Sequence, residues 1–216
     1  DRRPYVPHMS ELTARMSEDS GSDQDALDLV VAEAEALRSL AAALPRLLPD
    51  VVDELLATTG KVVITGVGPS GAVARRMAHL FSVCGTPSFF LHPADGTHGG
   101  LGALTTGDTL VALSKGGDSD EVNVLAARAA GRGARVVALT TRPQSPLARH
   151  ADVVVTLPPA GPEDPGGIVA MGSTLVVAAF GDAVALTLMR RRRYAWRDVL
   201  FSHPGGAVGK RAEDAS

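Results

Sequence analysis

The chain has 216 residues, 45 % of them hydrophobic and only 4 % aromatic, with a formal net charge of −3. That length suits a single well-buried domain, and the charge gives no electrostatic basis for binding nucleic acid. The one cysteine, Cys84, excludes an intrachain disulfide and a cysteine-based metal site, so we expect a packed thiol. A signal peptide and an apolar span of membrane length are not apparent, which favours a cytoplasmic protein without a membrane partner.

The chain opens with a polar segment followed by a helical arm. Residues 1–21 lack sustained periodicity, and we expect a disordered tail that is partly foreign to the native chain. Residues 22–25 resemble a helix-capping signal, and an apolar face at helical spacing follows. Pro45 and Pro49 predict an interruption, with a second helix at roughly residues 50–58. Such an arm docks either on its own domain or on another subunit.

From Lys61 onward, short β-branched runs alternate with helical patterns. The predicted strands cover residues 62–65, 88–91, 109–114, 135–140 and 152–157. The predicted helical segments cover residues 72–83, 121–131, 146–150 and 171–192. This alternation predicts an α/β fold with a doubly wound parallel sheet, helices on both faces and functional sites at the carboxyl ends of the strands. No linker is apparent, so residues 22–216 are expected to form one domain.

Two glycine-rich turns lead from a predicted strand into a helix. We call residues 66–71 (GVGPSG) the first loop and residues 114–119 (SKGGDS) the second loop. Such a turn points backbone N–H groups outward at the positive end of a helix, where an anion can bind. The first loop matches neither a dinucleotide fingerprint nor a Walker loop, so a phosphate site and a plain tight turn are equally good interpretations. Two such turns converging on one anion favour a phosphate ligand, with Ser70 and Lys115 as further donors.

Several charged residues admit two interpretations. Asp118, with Glu121 three residues on, fits a capping box as well as a catalytic carboxylate. Glu163 and Asp164 form an acidic pair in a segment rich in proline and glycine, and most such pairs are solvated. The four arginines at 190–193 fit a solvated helix end better than an anion-binding patch.

Two histidines lie in glycine-rich segments rather than on an apolar helix face. His98 belongs to HPADGTHGGLG and His203 to SHPGGAVGK, which favours a functional role over core packing. A loop histidine that only bonds backbone groups is the alternative. The histidine spacing is not typical of a metal site, and a hydrolase triad would lack its nucleophile elbow.

Six segments follow one another along the chain: GVGPSG, TPSFFLHPADGTHGGLG, LSKGGDSDEV, RPQSPLARHADVVV, GSTLVVAAFGDAVAL and SHPGGAVGK. Together they resemble the sugar isomerase (SIS) domain, most closely its arabinose-5-phosphate isomerase branch, from about Val30 to Lys210. The resemblance implies a three-layer fold with a five-stranded parallel sheet. It also implies a homo-oligomer, usually a tetramer with shared sites, that interconverts aldose and ketose phosphates without a cofactor. Family members often continue into a pair of CBS domains, before which this sequence ends.

The resemblance also implies roles for individual residues. His98 and His203 fall on the two active-site histidines, with His203 reaching a neighbouring subunit's pocket. Asp118 stands at the position of a family glutamate, and a second family glutamate falls at Pro162 or, after a shift of one residue, at Glu163. The implied substrate- or phosphate-binding residues are Gly68, Ser70, Ser114, Lys115, Gly116, Gly117, Ser119, Ser173 and Thr174.

Two positions depart from the family pattern. Pro69 replaces a lysine, and Gly116 stands where many members have a phosphate-binding serine. Aldose–ketose interconversion needs a base that takes a proton from carbon, here Glu163 or His203, and a shuttle such as His98. The leading expectation is interconversion of arabinose 5-phosphate and ribulose 5-phosphate. The alternatives are a non-catalytic sugar-phosphate sensor or regulatory protein, and a lyase or epimerase that uses the same enediolate chemistry.

Overall fold

A computed structural model describes residues 23–205 of the chain. The strands are β1 (Val62–Gly66), β2 (Ser88–Phe90), β3 (Thr109–Leu113), β4 (Arg135–Thr140) and β5 (Val153–Thr156). The helices are α1 (Asp23–Ala57), α2 (Gly68–Val83), α3 (Pro93–Thr97), α4 (Asp120–Gly131), α5 (Gly172–Arg191) and α6 (Trp196–Phe201). Short 3-10 turns lie at Gly100–Ala103, Leu147–His150 and Pro165–Gly167. The five strands agree with the sequence prediction to within one or two residues at each end.

All five strands are parallel, and they form one sheet in the order β2-β1-β3-β4-β5. From β1 the chain adds β2 on one side and then returns to add β3 on the other side. Ligands of doubly wound proteins bind in the crevice at such a switch point. The register aligns Gly66 with Leu113, so both strands end at the same level. The first and second loops therefore leave the sheet side by side.

Alternate residues of the strands bury against two helical layers. Val62 and Ile64 face α1, α2 and α5, whereas Val63 faces α4 and the short segments around it. Because both faces are buried, the first three residues of β1 are all β-branched and apolar, and the strand has no exposed polar face. The result is the predicted three-layer α/β architecture, with α1 as the N-terminal helical arm docked on its own domain.

Helix α1 is continuous over 35 residues, so the predicted interruption at Pro45 and Pro49 is wrong. Each proline removes one helical hydrogen bond, at a cost of roughly 3 kcal/mol in a helix interior. The carbonyls that lose a partner belong to Ala41 and Pro45, which are exposed, and water can bond them. The opposite face buries Leu40, Leu47 and other apolar residues against the core, which offsets the cost. Of the predicted cap at residues 22–25, residues 23–25 form the first turn of α1, whereas residue 22 and the predicted tail lie outside the described residues.

The end of α1 is joined to the end of α5 by the arginine run. Arg192 donates to the carbonyl oxygen of Leu55 at 2.9 Å, and Arg191 pairs with Asp53 at 3.5 Å. Because Leu55 lies in the last turn of α1, a cation there complements the helix dipole. Arg190 is exposed, as expected for a solvated helix end.

Helix α5 is long and apolar enough to cross a membrane by length and composition alone, which the sequence analysis did not expect. Its buried residues, including Val176, Phe180 and Leu188, belong to the core cluster shared with α1 and α2. A helix that packs on several neighbours carries apolar residues around most of its circumference, and this accounts for its composition. Cys84 packs against the same cluster, and burial raises the pKa of its thiol.

The amino ends of β1 and β3 are tied together by Asp108, whose side chain is almost fully buried. Its carboxylate accepts from the ammonium and the backbone N–H of Lys61 at 2.8 and 2.9 Å. It also accepts from the backbone N–H of Thr105 at 2.7 Å and from its hydroxyl at 3.0 Å. Burial alone would raise the pKa of Asp108, but these bonds lower it to about 2.

Candidate functional site

A cavity of about 380 Å³ opens at the carboxyl ends of β3, β4 and β5. Leu113, Leu139 and Val176 form part of its apolar wall. Helix α1 closes one side through Ala36 and Ser39. Most of the polar lining comes from the carboxyl ends of the strands, the loops that follow them and the starts of the next helices: Ser70, Ser114, Lys115, Thr140, Thr141, Glu163 and Ser173. A mainly apolar cavity with a few convergent polar groups is typical of a small-molecule site.

The first and second loops converge on this cavity, as predicted. Ser70 lies in the first turn of α2 and Ser114 directly follows β3, and both line the cavity. Pro69 occupies the start of α2, where a missing N–H costs nothing, and Gly68 adopts a positive φ of 54°. Both loops therefore lead into helices whose amino ends lie beside the carboxyl ends of the strands.

The second loop is a compact turn with free backbone donors. The Ser114 hydroxyl accepts from the N–H of Gly117 at 3.1 Å and lies 3.3 Å from the Ser119 hydroxyl. Gly117 has a φ of 69°, and a Cβ there would lie 2.1 Å from the Ser145 hydroxyl, so only glycine fits. Within residues 23–205, the N–H groups of Gly116, Asp118 and Ser119 have no partner. Unpartnered N–H groups ahead of a helix form a concave donor surface for an anion.

The end of β4 holds the second loop in place. The carbonyl oxygen of Lys115 accepts from the hydroxyls of Thr140 and Thr141 at 3.0 and 2.9 Å, and from the N–H of Thr141 at 2.9 Å. Sequence reasoning did not single out these threonines. The available signal was their position at the carboxyl end of a strand next to β3, because such ends share one edge of the sheet.

Lys115 is paired with Asp164, whose side chain is fully buried. The ammonium lies 2.5 Å from Asp164 Oδ2, and Asp164 Oδ1 accepts from the N–H groups of Met171 and Ser173 at 2.9 and 3.0 Å. Burial alone would raise the pKa of Asp164, but the bond from Lys115 and those from Ser173 lower it. One carboxylate therefore fixes both the lysine of the second loop and the start of α5.

Glu163 is 4 % exposed and lines the cavity, so the expectation of a solvated acidic pair is wrong for both Glu163 and Asp164. Its Oε2 accepts from the N–H of Gly161 at 2.8 Å, and it has no ion pair within the described part of the chain. Gly172 makes room for it, because a Cβ at 172 would lie 2.2 Å from Glu163 Cγ. Glu163 and Asp164 are buried because they pack under the first turn of α5, whereas residues 165–169 are exposed.

Asp118 does not cap α4, so that interpretation of its sequence position is wrong. The N-cap residue is Ser119, which makes no side-chain capping bond, and Asp118 instead forms an ion pair with Arg142. Arg142 follows β4 and was not identified from the sequence. Both side chains of the pair are more than half exposed, and neither lines the cavity.

The remaining predicted residues lie outside the cavity of their own chain. His98 is exposed at the end of α3, and His203 follows α6 with Nδ1 2.7 Å from the carbonyl oxygen of Val199. Thr174 donates to the carbonyl oxygen of Met171 and lines a separate groove, whereas its neighbour Ser173 faces the cavity. Across residues 23–205, no cluster of histidine, cysteine and acidic side chains could hold a metal ion.

The SIS domain family matches residues 55–186 of the chain. The protein belongs to the SIS domain family. The SIS domain protein is 40 % identical over 152 residues to arabinose 5-phosphate isomerase KdsD of Shigella flexneri, covering 70 % of this chain and 46 % of that relative. It is 37 % identical over 179 residues to KdsD of Pseudomonas aeruginosa, covering 83 % and 55 %. It therefore spans about half the length of the curated relatives that it matches.

A solved structure, that of Escherichia coli CFT073 c3406 in complex with arabinose 5-phosphate, has the same fold. Its TM-score is 0.76 at 30 % identity, and the match covers 85 % of this chain and all of that one. The likeness supports a five-stranded parallel sheet with flanking helices as the family architecture. Relatives of the SIS domain protein at 37 % and 40 % identity are thus named as arabinose 5-phosphate isomerases.

Proposed function

We propose that this SIS domain protein interconverts aldose and ketose sugar phosphates through an enediolate, without a cofactor. Arabinose 5-phosphate and ribulose 5-phosphate are the leading pair. The observation that carries the proposal is one cavity that combines phosphate-type donors from two loops with a buried carboxylate, Glu163. Relatives named arabinose 5-phosphate isomerase support the choice of substrate.

The phosphate group binds where the two loops meet. Ser70 and Ser114 supply hydroxyls, the second loop supplies N–H groups, and Lys115 supplies a positive charge. A dianion held by several fixed donors leaves the sugar little rotational freedom. Anchoring of this kind lowers the barrier because the reacting carbons are held close to the base.

Glu163 acts as the base that removes the proton from the carbon next to the carbonyl. Its carboxylate can accept this proton without first breaking an ion pair, because within residues 23–205 that carboxylate has no ion pair and its only hydrogen bond comes from the N–H of Gly161. Apolar walls exclude water and strengthen the interactions that stabilise the developing oxyanion. The isomerisation is complete when this proton returns to the neighbouring carbon and a second group has moved the hydroxyl proton from one oxygen of the enediolate to the other.

His203 supplies a second proton-transfer group from a neighbouring subunit of a homo-oligomer, with His98 in a positioning role and a tetramer as the expected assembly. The position of His203 supports this arrangement, since it lies outside the cavity of its own chain. The helix that precedes it, α6, packs little of its apolar surface against its own chain, because Trp196 and Phe201 are 70 % and 88 % exposed. Large apolar side chains this exposed are typical of an interface.

A regulatory sugar-phosphate-binding protein is the second candidate. Pro69 supplies no charge to the first loop, Lys115 is engaged by Asp164, and Asp118 is engaged by Arg142. These contacts favour a site that holds a phosphosugar without turning it over. Thermal stabilisation by a phosphosugar in the absence of turnover would support this candidate.

The deciding experiment is an activity screen over pentose and hexose phosphates, with the products identified by NMR. We expect conversion of ribulose 5-phosphate to an aldose phosphate. Glu163→Gln should lower kcat by about 100- to 10,000-fold, because it retains the bond from Gly161 but cannot accept the proton. No turnover of any substrate by the unaltered protein would refute the isomerase. Gain of arabinose 5-phosphate activity in Pro69→Lys would identify position 69 as a specificity determinant.

A further inference from the structure

We propose that Arg142 is a phosphate ligand of this site and determines its preference for phosphorylated sugars. The proposal rests on the proposed function in one respect, namely that a phosphate binds at the second loop. It assigns a role to a residue that follows β4, lies outside the cavity lining and belongs to neither phosphate loop.

The guanidinium of Arg142 lies against the second loop at Gly116. A Cβ built on Gly116 would lie 4.0 Å from Arg142 Nη1 and 3.3 Å from Asp118 Oδ2. A serine hydroxyl at 116 would point into this same space. The arginine thus brings donors to the place where a side chain at 116 is missing.

The backbone that carries Arg142 is fixed relative to the loop. The N–H of Arg142 donates to the Thr140 hydroxyl at 3.2 Å, and that hydroxyl donates to the carbonyl oxygen of Lys115 at 3.0 Å. The arginine therefore starts from a strand end that is bonded to the loop it would serve. Only its side chain needs to move when an anion arrives.

Arg142 is more available to an incoming dianion than Lys115 is. Lys115 is paired with a fully buried carboxylate. Water cannot reach that carboxylate to take the place of the ammonium, so the lysine stays bound to it. Arg142 is held by Asp118, and the side chains of that pair are 61 % and 54 % exposed. An exposed ion pair is weak and is readily rearranged.

Arg142 can bind phosphate and keep its contact with Asp118. A guanidinium carries five N–H donors in a planar fork that fits phosphate oxygens, and Asp118 engages it through Nη1. Its charge adds to the free N–H groups of Gly116 and Ser119. A neutral sugar would gain nothing from this charge, so Arg142 favours a phosphorylated substrate.

The test measures binding of inorganic phosphate to the full chain by titration calorimetry, which requires no turnover. Arg142→Gln should weaken binding by about 10- to 100-fold, as expected for loss of charge-assisted bonds. Arg149→Gln, which removes an exposed arginine from the same connection, should leave binding unchanged. Asp118→Asn should bind phosphate at least as tightly as the unaltered protein, because it frees the guanidinium.

The outcomes separate this inference from the proposed function. Unchanged phosphate binding in Arg142→Gln, or equal weakening in Arg142→Gln and Asp118→Asn, would overturn the role of Arg142 even if the protein is an active isomerase. Weakened phosphate binding in Arg142→Gln alone would support it even if no sugar is turned over. If turnover is found, Arg142→Gln should raise KM for the sugar phosphate by a larger factor than it lowers kcat.

Discussion

The ammonium of Lys115 lies 2.5 Å from Asp164 Oδ2, although 49 positions separate the two residues. Asp164 also accepts hydrogen bonds from N–H groups at the start of α5, so the ion pair joins the second loop to that helix. The cavity lies between these two elements. Its shape therefore depends on one buried carboxylate.

Breaking this pair should destabilise the fold more in the single variant than in the double variant. Lys115→Met leaves the Asp164 carboxylate buried without its cation, which should destabilise the fold by about 1–3 kcal/mol after allowance for partial exposure of the lysine. Asp164→Asn in addition removes that charge and retains an acceptor for α5. We expect the double variant to be more stable than Lys115→Met alone, as measured by urea unfolding at pH 7.

Asp164→Ala is the control for the helix-capping role, since alanine removes the acceptor as well as the charge. It should unfold at a lower urea concentration than Asp164→Asn. Strictly additive effects of Lys115→Met and Asp164→Asn would show that the two side chains do not interact in solution.

Mixing two inactive variants should restore activity if sites are shared between subunits. His203→Ala and Glu163→Gln are each expected to be nearly inactive alone. A mixed oligomer contains sites in which an intact Glu163 meets an intact His203, and about a quarter of the sites are complete after random exchange. Activity is measured after the two are refolded together. Absence of any regain in a verified mixed oligomer would place both residues in the site of one chain.

Gly172→Ala should disturb the site through one added methyl group. The new Cβ would lie 2.2 Å from Glu163 Cγ, so the carboxylate or the start of α5 must move. We expect a loss of about 1–3 kcal/mol in the free energy of unfolding, together with lower kcat. Gly131→Ala is the matched control, because a Cβ at that helix position meets nothing within 4 Å. It should be neutral or slightly stabilising.

Asp108 makes stability depend on acid pH. Burial raises the pKa of its carboxyl, but bonds from Lys61 and Thr105 outweigh burial and lower it from 3.8 to about 2. A carboxyl with a lowered folded-state pKa adds stability above the unfolded-state value and loses it as the pH falls through about 2. Asp108→Asn should cost roughly 2 kcal/mol at pH 7, and the difference should shrink below pH 4. Urea unfolding across this range tests it, with exposed Asp95→Asn as the control.

The parts of the fold that depend on local sequence could be predicted. The β-branched run at residues 62–64 and the glycines from Gly66 onward indicate a buried strand and a tight turn, whatever the distant contacts are. Convergence of Ser70 and Ser114 followed from topology, since adjacent parallel strands end at the same edge.

The parts that depend on distant partners could not. Nothing near Asp118 in the sequence indicates that its carboxylate pairs with Arg142, which lies 24 positions away. Burial of Glu163 likewise depends on the start of α5, which covers a segment whose composition is typical of a surface loop. The break predicted at Pro45 followed from helix propensity, which does not include the core packing that stabilises α1.

The placement of α1 has a consequence for how the chain matures on the ribosome. This helix is synthesised before β5 and α5, the elements on which it packs. Until then Leu40, Leu47 and Val51 have no core to join, and the nascent chain displays an apolar stripe that chaperones recognise. Emergence of α5 thus completes both the hydrophobic core and the wall of the cavity.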